Sequence, residues 1–270
     1  MIKKKKHETV LYTVFHPYSV SFLKNFIEDL EKQYFKNFDV YLCFNNLKNK
    51  NIYLNKVKKI NKKTSFNVHY TFQDKDPITV RKQNLKFLTL KYKKIVFLDS
   101  DDKMGYDRMR IVHQKLNTHS FVVNNIKNLE TNKTLFSKKN INVIKLSSIL
   151  DNSFVGLSNL AIKSNALKNI INKIEKKLLV LDWQIVTLLL LFKQKGFYIG
   201  NIFTYYRIYE NNYIGRLNNN ENLDRKLKIK LLHYKYFSKY NKVFKKKFED
   251  LNKNKKRKKI NTIKNKFYDT

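Results

Sequence analysis

Three aspartates fall within four positions where an apolar run stops: in "IVFLDSDD", Asp99, Asp101 and Asp102 follow Ile95 to Leu98. In a chain of formal net charge +36, such local acidity has two physical readings. Hard divalent cations such as Mg²⁺ or Mn²⁺ take carboxylate oxygens together with phosphate oxygens and water, so Asp99 and Asp101 could bridge protein to a diphosphate. If the preceding strand runs on for two residues, those two side chains project to the same side. The alternative is structural: Asp101 or Asp102 caps a helix beginning near Lys103, and the other carboxylates are solvated.

A fourth acid, Asp182, lies beside Trp183 in the most apolar stretch, "LLVLDWQIVTLLLLF". A carboxylate there could take the proton of an attacking hydroxyl, or it could be a helix N-cap or first-turn acid favoured by the helix dipole. The stretch is shorter than a membrane span and is interrupted by Asp182 and Gln184, so it reads as a buried helix. Trp183 reads as core. Arg81 is either a diphosphate contact or an exposed helix residue. Among the six histidines no metal-ligand spacing is found; His113 and His119, for example, do not share a helical turn. Cys43 is the only cysteine, which excludes an intrachain disulfide and a Cys-rich zinc site and fits a reducing cytoplasm.

The elements that must position these residues follow from periodicity. Thr9–Phe15 and Phe38–Phe44 are β-branched and aromatic runs, and between them Phe22, Leu23, Phe26, Ile27 and Leu30 share helical spacing, with Ser19 and Ser21 available as caps. A second strand, helix, strand unit spans "FNVHYTF", a helix from Pro77 and "KKIVFLD". Alternation of this kind predicts an α/β fold with a mostly parallel sheet, and in such sheets ligands collect at the carboxyl ends of the strands, where the acidic cluster lies. Downstream, "SFVVNNI" reads as a strand, "SNALKNIINKIEKKL" as one amphipathic helix burying Leu167, Ile170, Ile171, Ile174 and Leu178, and "DWQIVTLLLLFKQKG" as a helix closed by Gly196. "FYIGNIFTYYRIY" reads as a late strand region.

The chain holds 57 Lys+Arg against 21 Asp+Glu, with 42% hydrophobic and 14% aromatic residues, so it folds despite its charge and favours anionic partners. Lys, Asn, Ile, Phe and Tyr are abundant while Gly, Pro and Trp are scarce, a bias that an AT-rich coding sequence also produces. The basic opening is followed by "VLYTVF", too short for a signal peptide and without a small-residue cleavage site, and reads as a first strand. Residues 221–270 carry 18 Lys/Arg against 5 Asp/Glu, interleaved with aromatics. This predicts one or two basic amphipathic helices and a frayed tail from residue 219, read first as a solvated, partly disordered extension, next as a contact to an anionic bilayer and last as a nucleic-acid binder.

"ITVRKQNLKFLTLKYKKIVFLDSDD", with Arg81 and Asn84 on the helix before the acidic strand end, resembles the central segment of the family 2 glycosyltransferases of the GT-A fold. The opening "YTVFHPYSVSFLKNFIEDLEKQYFKNFDVYLCFNN" is similar to that family's nucleotide-contacting first strand, helix and second strand. "FVGLSNLAIKSNAL" is similar to its acceptor-side segment. "LDWQIVTLLLLFKQKGFYIGNIFTYYRIYENNYIG" resembles its E-D-w helix and closing Y-R-q-h-g-n-n segment.

The resemblance covers about residues 9 to 216, within a GT-A domain at 1–218 followed by a basic, partly helical extension at 219–270. It implies a Rossmann-like, mostly parallel sheet flanked by helices, and an inverting, metal-dependent transferase moving a sugar from a nucleotide-diphosphate donor, often UDP-linked, to a hydroxyl of a glycan or lipid-linked acceptor. On that match Asp99 and Asp101 hold Mn²⁺ or Mg²⁺, Asp102 supports them, Arg81, Asn45, Asn46, Asp99 and Arg207 contact the donor, Asn211 belongs to the closing segment, and Asp182 is the base. It implies surface polysaccharide or glycolipid synthesis in the cytoplasm, with the tail as a contact to the inner membrane face.

The sequence departs from the family pattern in three places: Leu181 stands where an acid usually precedes the base, Asn45 and Asn46 where the second strand often ends in acids, and Tyr209 where the closing motif has His. A degenerate GT-A domain and a nucleic-acid-binding protein are the alternatives. A sugar nucleotidyltransferase is disfavoured because "VFHPYSVS" has no glycine for a phosphate loop.

Overall fold

The computed structural model describes residues 7–136, 142–151, 153–208 and 220–253. The chain divides into two compact units, one containing the described residues up to 176 together with 181–208, the other 177–180 together with 220–253.

The first unit is built on β1 (Thr9–Phe15), β2 (Asp39–Asn45), β3 (Val68–Gln73), β4 (Lys94–Phe97), β5 (Lys103–Met104), β6 (Phe121–Asn128), β7 (Val143–Ile144), β8 (Leu160–Lys163) and β9 (Gly196–Tyr206). They form one sheet in the order β3-β2-β1-β4-β8-β6-β9-β5, with β7 also on β9. β1 pairs in parallel with both β2 and β4, β2 with β3, and β6 with β9. β8 runs antiparallel between β4 and β6, while β5 and β7 run antiparallel to β9. β1 to β4, β6 and β9 therefore share one direction. This is the mostly parallel α/β sheet expected, and it brings the carboxyl ends of β1, β2 and β4 to one edge.

Both faces of the central strands are covered, which is why β1 and β2 read as unbroken apolar runs. On one face Leu11, Phe15, Leu42 and Phe44 pack with Leu23, Phe26, Ile27 and Leu30 of α1 (Leu23–Glu31), Val57 of α2 (Lys50–Lys63) and Met109, Val112 and Leu116 of α4 (Arg108–Thr118). On the other face Tyr12 lies against Tyr41 and Phe97, and its hydroxyl accepts from Asn84 of α3 (Pro77–Lys91). The alternation follows from the two-residue period of a strand. α3 starts as Pro77 suggested, with Asp76 as N-cap accepting the Thr79 N–H.

Four local expectations are corrected. Ser19 and Ser21 do not cap α1; the Ser19 hydroxyl instead accepts the His16 N–H in the turn after β1. The stretch from Ser164, beyond the short α5 (Leu146–Ile149), is not one helix: α6 (Ser164–Lys168) ends early and a 3₁₀ turn follows at Ile171–Lys173, although all five expected apolar side chains are buried. Asn169 and Asn172, which offer the backbone competing hydrogen bonds, and three β-branched isoleucines weaken the helix there.

Gly196 does not close α7 (Leu181–Leu191). Lys193 takes the left-handed conformation at φ 57, and the Gln194 N–H reaches the Leu189 carbonyl. Gly196 instead begins β9 against the Phe121 ring, where a Cβ would lie 2.1 Å from a ring carbon. Finally, β4 stops at Phe97, so Asp99 and Asp101 are not strand neighbours.

The second unit contains α8 (Asn220–Phe237) and a further helical stretch at 242–253. There the His233 ring lies 4.6 Å from that of Phe237 and 5.8 Å from that of Phe244, and burial pushes its pKa down to about 3. The basic helices expected after 218 are thus helical where described; the boundary at 218 and the tail beyond 253 lie outside the described residues. No helix among the described residues is long and apolar enough to cross a membrane.

Candidate active site

The acidic cluster sits in a turn. The Asp102 N–H bonds the Asp99 carbonyl at 3.1 Å, and β5 follows at Lys103. No helix begins there, so the capping explanation for Asp101 and Asp102 falls; α4 starts only at Arg108, after Asp107. The turn displays Asp99 and Asp101 as partly exposed carboxylates and buries Asp102 and Ser100.

Asp102 is held from two sides. One carboxylate oxygen accepts the Ser158 hydroxyl, and the other accepts the Arg207 N–H at 2.9 Å. The same Ser158 hydroxyl accepts the Asp99 N–H at 2.8 Å. Burial, followed by the charges of Asp99 and Asp101, pushes Asp102 well above the usual carboxylate range. Asp101 is raised to about 6 by burial and by the Asp99 charge. These acids are crowded against their own repulsion, the condition that an added cation relieves.

Cationic groups flank the turn. Arg81, on α3, places Nη2 3.8 Å from Asp99 Oδ1. Arg207, just past β9, donates from Nε to the Asp101 carbonyl at 3.2 Å, and its guanidinium lies 4.8 Å over the Phe22 ring. At the end of β1, His16 stacks on Tyr18 with ring centroids 5.5 Å apart and planes within 11°. Burial and the Arg81 charge push His16 down to about 4, so it is neutral at pH 7. Tyr18 is 75% exposed and feels the charges of Asp101, Arg81 and Asp99, which places an open aromatic face near the acids. Tyr206 is raised by burial and by Asp102, Asp99, Asp101 and Asp182, and stays protonated.

Asp182 lies in the first turn of α7, where the Trp183 N–H donates to Oδ1 at 2.5 Å. Burial pushes it up to about 7; the Trp183 bond opposes this, the Asp99 charge adds to it, and the Leu157 N–H and the Arg81 charge oppose it again. Gly156 leaves room beside it, since a Cβ there would come 4.0 Å from Asp182 Oδ2. Trp183 is core as expected, 4% exposed with Nε1 donating to the Ile149 carbonyl.

The two asparagines at the end of β2 differ. Asn45 is fully buried, its Nδ2 donating to the Lys75 carbonyl and its Oδ1 accepting the Lys75 N–H, so it ties β2 to the chain after β3. Asn46 is exposed, at a left-handed φ of 57. Asn84 is buried and bonds Gln73 and Tyr12. Asn211 and Tyr209 lie outside the described residues.

Sequence reasoning had Asp99, Asp101, Asp182, Arg81 and Arg207, and the structure brings these together. It missed His16, Tyr18, Tyr206 and Ser158. Only the aromatic pair after the first strand carried a signal, being two rings bracketing Pro17 at a strand's carboxyl end.

No protein-family profile matches the sequence, and no curated protein is detectably similar to it. The fold is shared. Residues 1–349 of S. aureus TarS, solved in complex with UDP-GlcNAc, superpose with a TM-score of 0.64 at 13% identity, over 85% of this chain and 66% of that one. The mannosyltransferase PcManGT from Pyrobaculum calidifontis, solved with GDP-Man and Mn²⁺, superposes at 0.60 and 8% identity, over 87% and 64%. This chain spans less than two thirds of the length of either. At these identities the likeness establishes architecture: the chain has the GT-A fold of nucleotide-sugar glycosyltransferases, as the resemblance implied.

Proposed function

We propose that this chain is a metal-dependent, inverting glycosyltransferase of the family 2 type, moving a sugar from a nucleotide-diphosphate donor to a hydroxyl acceptor. One observation carries the reading. Asp99, Asp101, Arg81, Arg207 and Asp182, from segments as distant in sequence as α3 and the end of β9, converge at the carboxyl edge of a GT-A sheet. The two solved relatives hold UDP-GlcNAc and GDP-Man.

The donor set fits a hard divalent cation. Among the described residues no three His, Cys, Asp or Glu side chains group as metal ligands. Mg²⁺ and Mn²⁺ need fewer, because they are commonly held by one or two carboxylates with substrate phosphates and water completing the shell. Asp99 and Asp101 are the two carboxylates left open, and their crowding favours a cation. When bound, Mn²⁺ or Mg²⁺ supplies charge neutralisation for the departing diphosphate.

The chain's own residues do the rest. Arg81 and Arg207 add fixed positive charge beside the diphosphate, and their planar guanidinium forks suit its oxygens. His16, Tyr18 and Asn46 line the nucleoside end, Tyr18 offering a stacking face and Asn46 a neutral amide. Asn45 shapes the wall. Asp182, ionised above pH 7, takes the acceptor hydroxyl's proton as the oxygen attacks the anomeric carbon. Attack from the face opposite the diphosphate inverts the configuration.

We place the acceptor among glycans and lipid-linked glycans, in surface polysaccharide or glycolipid synthesis, with the basic extension at 219–270 as a contact to the anionic inner face of the membrane. The test is single-turnover transfer from UDP- and GDP-sugars with Mn²⁺ or chelator. Release of nucleoside diphosphate that needs both metal and Asp182 supports the reading; no release from any donor overturns it.

A further inference from the structure

Ser158 lies in neither the acidic turn nor α7, yet it touches the first and borders the second. It is 1% exposed, in a 3₁₀ turn at Leu157–Asn159. Its hydroxyl uses both of its capacities on the acidic turn, accepting from Asp99 N–H and donating to the Asp102 carboxylate. The neighbours of Ser158 face Asp182, for the Leu157 N–H acts on that carboxyl and Gly156 leaves space beside it.

The turn itself is anchored from behind. The Ser158 carbonyl accepts the buried Thr204 hydroxyl at 3.0 Å, and Thr204 accepts the buried Asn124 amide at 3.0 Å. Asn124 Oδ1 accepts from Nε of the fully buried Arg108 at 2.7 Å, and Arg108 Nη2 donates to the carbonyl of Phe97, the last residue of β4. Asn159 adds a second anchor, donating to the Asn124 and Phe154 carbonyls while accepting the Gly156 N–H. The chain of bonds leaves the end of β4 and returns to Asp99, two residues farther on, through Ser158.

We infer that Ser158 is a positioning residue for the proposed transfer: by clasping Asp99 and Asp102 with one hydroxyl, it sets where the metal-facing carboxylates stand relative to Asp182. The inference rests on the glycosyltransferase reading. A buried hydroxyl that accepts from the backbone of Asp99 and donates to the carboxylate of Asp102 fixes from behind the turn that presents the ligands, and loss of such a partner costs about 10–100-fold in metal affinity or activity. Ser158 contacts no reacting atom; it acts through Asp99 and Asp102.

The test uses the full-length protein, with Mn²⁺ alone followed by electron paramagnetic resonance of the free ion, and UDP and GDP titrated in the presence of Mn²⁺. Ser158→Ala is expected to weaken Mn²⁺ binding about 10–100-fold while circular dichroism is unchanged. Ser158→Cys, with a weak donor of similar size, is expected to fall between the two, and it decides the matter if the alanine variant does not fold. Wild-type Mn²⁺ affinity in a folded variant overturns the inference, whether or not its melting temperature drops, because a merely structural role moves only the latter. If the wild-type protein binds neither Mn²⁺ nor either nucleotide, the glycosyltransferase reading fails and takes the inference with it.

Discussion

Arg81 Nη2 stands 3.8 Å from Asp99 Oδ1, joining α3 to the turn that follows β4. The pair places a fixed cation beside the carboxylate that faces the proposed diphosphate. Arg81→Ala is expected to weaken UDP or GDP binding about 10–100-fold, the worth of a charge-assisted hydrogen bond, at unchanged stability. Arg81→Lys restores only part of this, since an ammonium lacks the planar fork. Unchanged calorimetric affinity in the alanine variant returns Arg81 to the status of an ordinary helix residue.

Asp182 sets a pH dependence. Its pKa of about 7 means that the base form is lost as pH falls through that value. kcat/KM is expected to drop about tenfold per pH unit below the pKa and to level off above it. Asp182→Asn keeps nucleotide affinity and loses about 10²–10⁴-fold in transfer, together with this limb of the profile. A variant that retains the acidic limb sends Asp182 back to its role as a first-turn acid of α7.

On the proposed reading, the acidic turn trades stability for function. Asp99, Asp101 and Asp102 repel one another in the metal-free protein, so Asp101→Asn is expected to raise the melting temperature by roughly 2–4 °C in chelator. Wild-type protein gains stability when Mn²⁺ is added, and the variant gains little. Calorimetric melts in chelator and in Mn²⁺ check both; a variant that is less stable in chelator shows that the carboxylate has a structural partner instead.

Gly196 provides a stability control remote from the acids. The Phe121 ring occupies the space a Cβ needs, and that ring is fully buried. Gly196→Ala is expected to cost about 1–3 kcal/mol by overpacking, read as a lower denaturant midpoint. No change in midpoint shows that β9 can shift away from β6.

The strands were legible because β1, β2 and β9 are apolar or β-branched runs, and α3 because a proline sits at its start. The acids of the proposed site could be picked out from type and position after a strand. What the sequence hid was contact across distance. Ser158 is one serine among many until folding sets it 56 residues away in sequence against Asp102. Asn45 reads as a ligand residue and turns out to stitch Lys75, because only the pairing of β2 with β3 brings that backbone within reach. Gly196 reads as a helix stop, yet its requirement comes from Phe121, on a strand paired with it. The 164–178 segment shows a further limit: its apolar spacing correctly named the buried side chains but not the backbone that buries them.

The most direct test of the central claim is calorimetric titration of the full-length protein with a panel of nucleoside diphosphates at moderate salt, with Mn²⁺ and then with chelator, repeated on Asp101→Asn. The expected result is tight binding of one nucleotide that requires metal and disappears in the variant. Binding that persists in chelator, or that is the same in Asp101→Asn, would contradict it.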